Sequence, residues 1–117
     1  MNLKINGEDI TLVDSFRVYM YFEEIAGHNL NFNNFTSNDL MILFYSVVIT
    51  SLQKAKKQLI PFIDFLDVVD DNGGDKCVLE FSNFYIGMIK KQYEVLDDMQ
   101  VEEKEETETE EPSKKKS

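Results

Sequence analysis

Two residue types that often carry acid–base or nucleophilic chemistry occur once each in this chain. The histidine, His28, follows Gly27 in an asparagine-rich segment, and a general base needs a positioned partner and a pocket. Nothing in the adjacent sequence marks either. The cysteine, Cys77, has no second cysteine or histidine at ligand spacing, as a zinc site requires. We therefore predict that His28 is a structural or surface residue and that Cys77 belongs to the core or to the start of a helix.

Acidic residues around a glycine turn are the next chemical candidates. The cluster is Asp67, Asp70, Asp71, Asn72 and Asp75. Oxygen ligands around such a turn can hold calcium, but an EF-hand loop needs an oxygen side chain at its fifth position. Counting from Asp70 places Gly74 there. A small calcium-dependent module therefore ranks third among the alternatives.

Paired carboxylates are also the machinery of many hydrolases, and Asp39, Asp64 and Asp67 could in principle form such pairs. Acidic residues on amphipathic helices more often form the solvated face. The sequence has no glycine-rich phosphate loop, serine nucleophile elbow or Walker motif. We predict a protein that is not an enzyme, with no catalytic residues, no cofactor and no metal.

The charge of the chain limits its partners. Its 117 residues include 12 Lys plus Arg and 22 Asp plus Glu, a net charge of −10. Nucleic acids and anionic membranes attract clustered basic residues, so neither is a predicted partner. One cysteine cannot form an intrachain disulfide, and the amino-terminal segment lacks the apolar run of a signal peptide. A cytoplasmic location is the expectation.

The elements that must position these side chains begin with a β-hairpin. Apolar and polar residues alternate on both sides of Asn6-Gly7, a dipeptide that favours a type I′ turn. Asp14 or Ser15 can then cap a first helix, which Gly27 ends.

An asparagine-rich connector over 28–35 precedes the central helix. Three of its apolar residues are expected to pack under the domain: Leu30, Phe32 and Phe35. Thr36 with Asp39 resembles a capping box at a helix start. The block 40–49 is apolar nearly all round, which predicts a helix covered by its neighbours on several sides.

Pro61 opens a short amphipathic helix. Its expected apolar face is Phe62, Ile63, Phe65, Leu66 and Val69, and its expected acidic face is Asp64, Asp67, Asp70 and Asp71. A last helix is predicted from about Val78 to Met99 by apolar residues at every third or fourth position. The segment 101–117 is too acidic and too poor in apolar residues to fold.

These elements predict a mainly α (α+β) fold. An N-terminal β-hairpin is followed by a small bundle of about four helices and by a disordered acidic C-terminal tail. The predicted domains are a compact helical domain over 1–100 and the tail over 101–117.

The aromatic residues favour a protein partner. The chain has nine Phe and five Tyr, more than one small core needs. Any single one is more often a core residue, but together they indicate an exposed aromatic face of the kind that protein interfaces use. The predicted pool of contact residues is Phe16, Tyr19, Tyr21, Phe22, Phe44, Tyr45, Phe62 and Phe65.

Several segments in this order resemble a known family. They are the hairpin with Ile5-Asn6-Gly7, the first-helix segments Ser15-Phe16-Arg17 and Phe22-Glu23-Glu24-Ile25-Ala26-Gly27, the central-helix segment Leu43-Phe44-Tyr45-Ser46-Val47-Val48, and Phe62-Ile63-Asp64-Phe65-Leu66-Asp67. Over about residues 3–99 the pattern resembles the tail assembly chaperones of long-tailed bacteriophages and prophages, particularly those from gut bacteria.

The resemblance implies a non-enzymatic virion-morphogenesis factor that is absent from the mature virion. In that family a short product binds the tape measure protein and keeps it soluble and extended. A longer product, made by ribosomal frameshifting, recruits tail tube subunits. The run Lys114-Lys115-Lys116 could be encoded by a slippery adenine run, or could simply aid solubility.

Other interpretations stay open at this point. The runner-up is an acidic inhibitor that mimics the charge of DNA and blocks a host DNA-binding protein. Such a mimic needs carboxylates at phosphate-like spacing on a folded surface, whereas the densest acidic segment here is the tail, with seven acidic residues in 101–117. A homo-oligomer is also compatible with the sequence.

Overall fold

A computed structural model describes residues 1–87, in which a β-hairpin precedes four α-helices. The strands are β1 (Asn2–Ile5) and β2 (Glu8–Thr11), which pair antiparallel. The helices are α1 (Phe16–Ala26), α2 (Ser37–Lys54), α3 (Phe62–Asp71) and α4, which covers 75–87 of the described range. The predicted mainly α fold with an N-terminal hairpin is confirmed.

The chain divides into two units after Asn83. The first unit, Met1–Asn83, contains the hairpin, helices α1 to α3 and the first part of α4. In the second unit, which begins at Phe84, the described residues 84–87 are helical. The predicted end of the last helix at Met99, the domain boundary at 100 and the predicted tail lie outside the described residues.

The hairpin and α1 have the ends that the sequence predicts. Asn6 and Gly7 have φ values of 52° and 81°, as the two central residues of a type I′ turn require. Ser15 is the N-cap of α1, and its hydroxyl accepts a hydrogen bond from the Arg17 N–H. Gly27 ends the helix with a left-handed φ of 80°, which glycine adopts without steric cost.

The connector between α1 and α2 contains a 3₁₀ turn at Phe32–Asn34. Phe32 is exposed, contrary to the expectation that it packs under the domain, and its ring lies against Phe35 with centroids 5.3 Å apart. At the start of α2, the Thr36 hydroxyl accepts from the Asp39 N–H, and the Asp39 carboxylate accepts from the Thr36 N–H. The predicted capping box is therefore confirmed.

Helix α2 is the centre of the core, and eleven of its residues are buried. Its buried hydroxyl groups bond within the helix. Ser46 donates to the Ile42 carbonyl at 2.7 Å, and Ser51 donates to the Val47 carbonyl at 2.7 Å. Each hydroxyl thus meets an acceptor one turn earlier, so its burial leaves no donor without a partner.

Five rings, which we call the aromatic cluster, connect α2 to α3 and α4: Phe44, Tyr45, Phe62, Phe65 and Phe81. Phe44 stacks on Phe81 with centroids 4.2 Å apart and meets the edge of Phe65 at 5.1 Å. Tyr45 packs against both Phe62 and Phe65. Aromatic pairs add about 0.5–1.5 kcal/mol each beyond the area that they bury, so these contacts hold α3 against the central helix.

Helices α1 and α2 run antiparallel. Arg17 in the first turn of α1 and Tyr21 in its middle both donate to the side-chain oxygen of Gln53, which lies in the last turn of α2. Past the end of α1, His28 meets Asp39 in the first turn of α2. Polar contacts therefore join this helix pair at both ends.

The end of α3 is bonded to strand β1. The Asn72 side-chain amide accepts from the Lys4 N–H and donates to the Lys4 carbonyl, both at 2.9 Å, and it also donates to the Val68 carbonyl at 2.8 Å. Gly73 and Gly74 follow with positive φ, and α4 begins at Asp75 rather than near Val78. An acidic residue in the first turn of a helix is favoured by the helix dipole, which explains the earlier start.

Within the described range, no helix combines the length and the apolar character that crossing a membrane requires.

Candidate protein-binding surface

Two helices present large apolar side chains to solvent. On α1, Phe16 is 70% exposed and Met20, one turn later, is 61% exposed. On α3, Ile63 is 71% exposed and Leu66, three residues later, is 39% exposed. Single exposed apolar residues are ordinary, but residues three or four apart on a helix are neighbours. Each pair therefore forms a continuous apolar patch that a partner can cover.

Carboxylates follow each patch by one turn. The exposed Glu23 and Glu24 come three and four residues after Met20, and the exposed Asp67 and Asp70 come four residues after Ile63 and Leu66. We call these surfaces the α1 face (Phe16, Met20, Glu23 and Glu24) and the α3 face (Ile63, Leu66, Asp67 and Asp70). Both faces have an apolar part and an acidic part on the same side of the helix.

Of the predicted contact residues, the structure exposes Phe16. Three others are fully buried, so the prediction that they contact a partner is corrected: Phe22, Phe44 and Phe65. The remaining four are half-buried: Tyr19, Tyr21, Tyr45 and Phe62. Phe44, Tyr45, Phe62 and Phe65 are brought together, but inside the aromatic cluster. Their contacts hold the fold and leave little of them for a partner.

Three exposed residues of these faces were not among the predicted contact residues: Met20, Ile63 and Leu66. The prediction that Ile63 and Leu66 lie opposite the aspartates of α3 is wrong, because both share the exposed side with Asp67 and Asp70. The spacing of the apolar residues allows this arrangement as well as the predicted one. Phe62, Phe65 and Val69 recur at intervals of three and four and are enough to fill one buried stripe, which leaves Ile63 and Leu66 outside it.

His28 is held by two acceptors. Its Nδ1 lies 2.9 Å from the Asn29 carbonyl oxygen, and its Nε2 lies 3.2 Å from Asp39 Oδ1. The hydrogen bond to the Asn29 carbonyl and the negative charge of Asp39 raise the pKa of His28, while partial desolvation opposes them. Both ring nitrogens of His28 therefore have a partner within the chain.

A cleft of about 490 Å³ lies beside His28. It is lined by His28, Asn29, Asn31, Asn34, Thr36, Asn38 and Asp39. Small-molecule sites are mostly lined by apolar and aromatic side chains with a few polar groups among them, and every residue lining this cleft is polar. The side chains of Thr36 and Asp39 already serve the cap of α2.

One oxygen side chain of the acidic cluster near the glycine turn is already used in a hydrogen bond with the backbone. The Asn72 side-chain oxygen, which would be a ligand, accepts from the Lys4 N–H. Across residues 1–87, no three His, Cys, Asp or Glu side chains are grouped so as to hold a metal ion. Cys77 is buried, as expected, and burial, together with the charge of Glu80, raises the pKa of its thiol.

Comparison of the chain with protein-family models, with curated proteins and with solved structures finds no match.

Proposed function

We propose that this protein is a non-enzymatic chaperone that binds a long protein client through the apolar parts of the α1 and α3 faces. The client that we propose is a phage tape measure protein, bound in the cytoplasm of the bacterial host during tail assembly. The observation that carries the proposal is the exposure of Phe16, Met20, Ile63 and Leu66 on two helices of a strongly acidic chain.

The size of the faces indicates how the client is bound. Fully burying one large apolar side chain contributes about 1.5–3 kcal/mol, whereas association costs an estimated 4–15 kcal/mol in lost freedom. Two apolar side chains per face therefore give weak binding by one copy. A long client that offers many similar sites compensates, because it collects many copies along its length.

The acidic groups have a separate role. Glu23 and Glu24 on α1 and Asp67 and Asp70 on α3 place negative charge one turn after the apolar side chains. Copies bound side by side on one client repel each other and so do not stack into aggregates. A client with exposed apolar surface thus becomes coated with acidic domains and stays soluble.

Co-expression tests this proposal. A tagged copy is produced in a bacterial host together with a long coiled-coil tape measure protein, and the soluble fraction and the co-purified protein are measured at low salt. We expect the partner to become more soluble and to co-purify. The variant Phe16→Ser/Met20→Ser/Ile63→Ser/Leu66→Ser should lose both effects, whereas Leu79→Ser, an exposed apolar residue outside the two faces, should keep them.

A partner that stays insoluble and is not retained by the tagged protein would overturn the proposal. The DNA-mimic alternative gives a different pattern, because its attraction would rest on charge alone. In that case the protein would capture a DNA-binding protein, the complex would dissociate at moderate salt, and the four serine substitutions would have no effect.

A further inference from the structure

The α3 face has a geometry that selects its partner. Ile63, Leu66, Asp67 and Asp70 are spaced at three and four residues along α3 and so lie on one side of the helix. All four are exposed. An amphipathic helix laid along this side would meet apolar groups in the first half of α3 and carboxylates in the second half.

The carboxylates of this face are placed against the helix dipole. The last turn of a helix carries partial negative charge and is stabilised by cations, but α3 has no basic residue there and ends with Asp70 and Asp71. From 61 to 75 the chain has five Asp and no Lys or Arg. Among the described residues, neither Asp67 nor Asp70 has a Lys, Arg or His within ion-pair distance. A cation supplied from outside would relieve this unfavourable arrangement.

The α1 face shares this feature only in part: α1 also has no basic residue in its last turn, but its surroundings differ. Arg17 lies on the same helix, and the ring of His28, which the Asn29 carbonyl and Asp39 favour in its charged form, follows the end of α1 directly. The end of α1 is therefore followed by a ring that can carry a positive charge, whereas Asn72, Gly73 and Gly74 follow α3. An added positive charge is therefore expected to strengthen binding more at the α3 face than at the α1 face.

We propose that the α3 face docks an amphipathic helix whose apolar side chains cover Ile63 and Leu66 and whose Lys or Arg side chains pair with Asp67 and Asp70. This proposal rests on the proposed function, since it names the segment of the client that is bound. It adds that the bound segment is helical and basic on the edge of its apolar stripe.

Charge complementarity disfavours the other occupants of this face. In a symmetric pair, a second copy of the chain would bring its own Asp67 and Asp70 against the same groups, in a protein whose net charge is −10. An anionic lipid surface and a nucleic acid would be repelled in the same way. A neutral apolar segment could cover Ile63 and Leu66 but would leave Asp67 and Asp70 unneutralised.

Two designed peptides test the docking. Both are helical with the same leucine stripe, but one has lysines along the stripe and the other has glutamates at the same positions. Binding of each labelled peptide to the full chain is measured by fluorescence anisotropy at two salt concentrations. We expect the lysine peptide to bind at least about tenfold more tightly than the glutamate peptide, by an amount that falls with salt.

Variants of the chain locate the site of binding. Ile63→Ser/Leu66→Ser should weaken the lysine peptide at least about tenfold, whereas Leu79→Ser should change its affinity less than about twofold. Asp67→Asn/Asp70→Asn should weaken the peptide about fivefold or more and reduce the salt dependence. Circular dichroism confirms that each variant is folded, which the exposure of these side chains leads us to expect.

A second readout separates docking from a merely structural role. Asp70→Asn removes a negative charge from the negative end of α3, so it should raise the urea midpoint while it weakens the peptide. The control Asp64→Asn removes the same charge from the first turn of α3, so it should lower the midpoint and leave peptide binding unchanged.

Equal binding of the two peptides, failure of both to bind, or normal binding by the serine and asparagine variants would overturn the docking proposal.

The two proposals fail in different ways. If the coiled-coil client binds equally well to the wild type and to Ile63→Ser/Leu66→Ser, the α3 docking is wrong and the chaperone function stands. If the lysine peptide binds as expected but the client does not bind to the wild type, the docking stands and the tape measure client is wrong.

Discussion

Nε2 of His28 lies 3.2 Å from Oδ1 of Asp39, and the second oxygen of the same carboxylate accepts from the N–H of Thr36, the N-cap of α2. One carboxylate thus serves both as the cap of α2 and as the partner of a ring that follows the end of α1. The antiparallel helix pair is closed at this end by a group whose charge depends on pH.

Stability should fall as the pH rises through the titration of His28. Its pKa in the folded state is raised above 6.5, first by the hydrogen bond to the Asn29 carbonyl and then by the charge of Asp39. The folded chain therefore binds more protons than the unfolded chain in this range, and the free energy of unfolding decreases with pH. The stabilisation that protonated His28 gives is fully present below pH 6.5, the pKa of the unfolded chain. It is lost as the pH rises through the folded-state pKa.

The melting temperature between about pH 5.5 and about pH 8 checks this. Wild type should lose more thermal stability across this interval than His28→Gln, which cannot titrate. The imidazole signals in an NMR titration should give a midpoint above 6.5. Identical pH profiles for the two proteins would show that the ion pair contributes nothing.

Phe44 and Phe16 should respond oppositely to truncation. Phe44 is fully buried between Phe65 and Phe81, whereas Phe16 is exposed. Phe44→Ala should lower the free energy of unfolding by about 3–5 kcal/mol, and Phe16→Ala by less than about 0.5 kcal/mol. Urea denaturation followed by circular dichroism measures both. A loss at Phe16 comparable to that at Phe44 would contradict the exposure of the α1 face.

Asn72 should matter more than a surface asparagine usually does. Its amide makes two hydrogen bonds with the backbone of Lys4 and one with Val68. Asn72→Ala should cost about 1–3 kcal/mol, and the exposed Asn34→Ala less than about 0.5 kcal/mol. Chemical denaturation compares the two variants. Equal stability would mean that the hydrogen bonds between β1 and the end of α3 do not contribute to the free energy of unfolding.

Cys77 should be unreactive in the folded chain. It is buried, and burial and the nearby charge of Glu80 raise its pKa, so little thiolate is present at neutral pH. Reaction with a disulfide reagent should be on the order of a hundredfold slower than in urea, since it must wait for local opening. Rapid labelling of the native protein would show that α4 opens readily at this position.

Features that depend on a few neighbouring residues were predictable from the sequence. Asn6-Gly7 gave the hairpin turn, Gly27 the end of α1, and Thr36 with Asp39 the capping box. Each works through hydrogen bonds or φ preferences within one turn of the chain. No knowledge of the rest of the fold is needed to anticipate them.

The allocation of apolar residues between core and surface was less predictable. In α3, six apolar residues fall within eight positions, and the spacing rule does not say which of two overlapping stripes is buried. The stripe that contains Phe65 is the buried one, because the Phe65 ring packs against Phe44 and Tyr45 of α2. That contact joins residues distant in sequence, so the exposed site residues Ile63 and Leu66 emerged only in the folded chain.

The bond between the Lys4 N–H and the Asn72 side chain joins residues 68 positions apart. The amide proton of Lys4 can exchange with solvent only when strand β1 separates from the end of α3. A single hydrogen-exchange rate near the amino terminus therefore reports how often the last turn of α3 comes loose. The α3 face lies on the same helix, so a ligand that binds there and stabilises the end of α3 should slow the exchange of the Lys4 amide. The ligand itself would not contact Lys4.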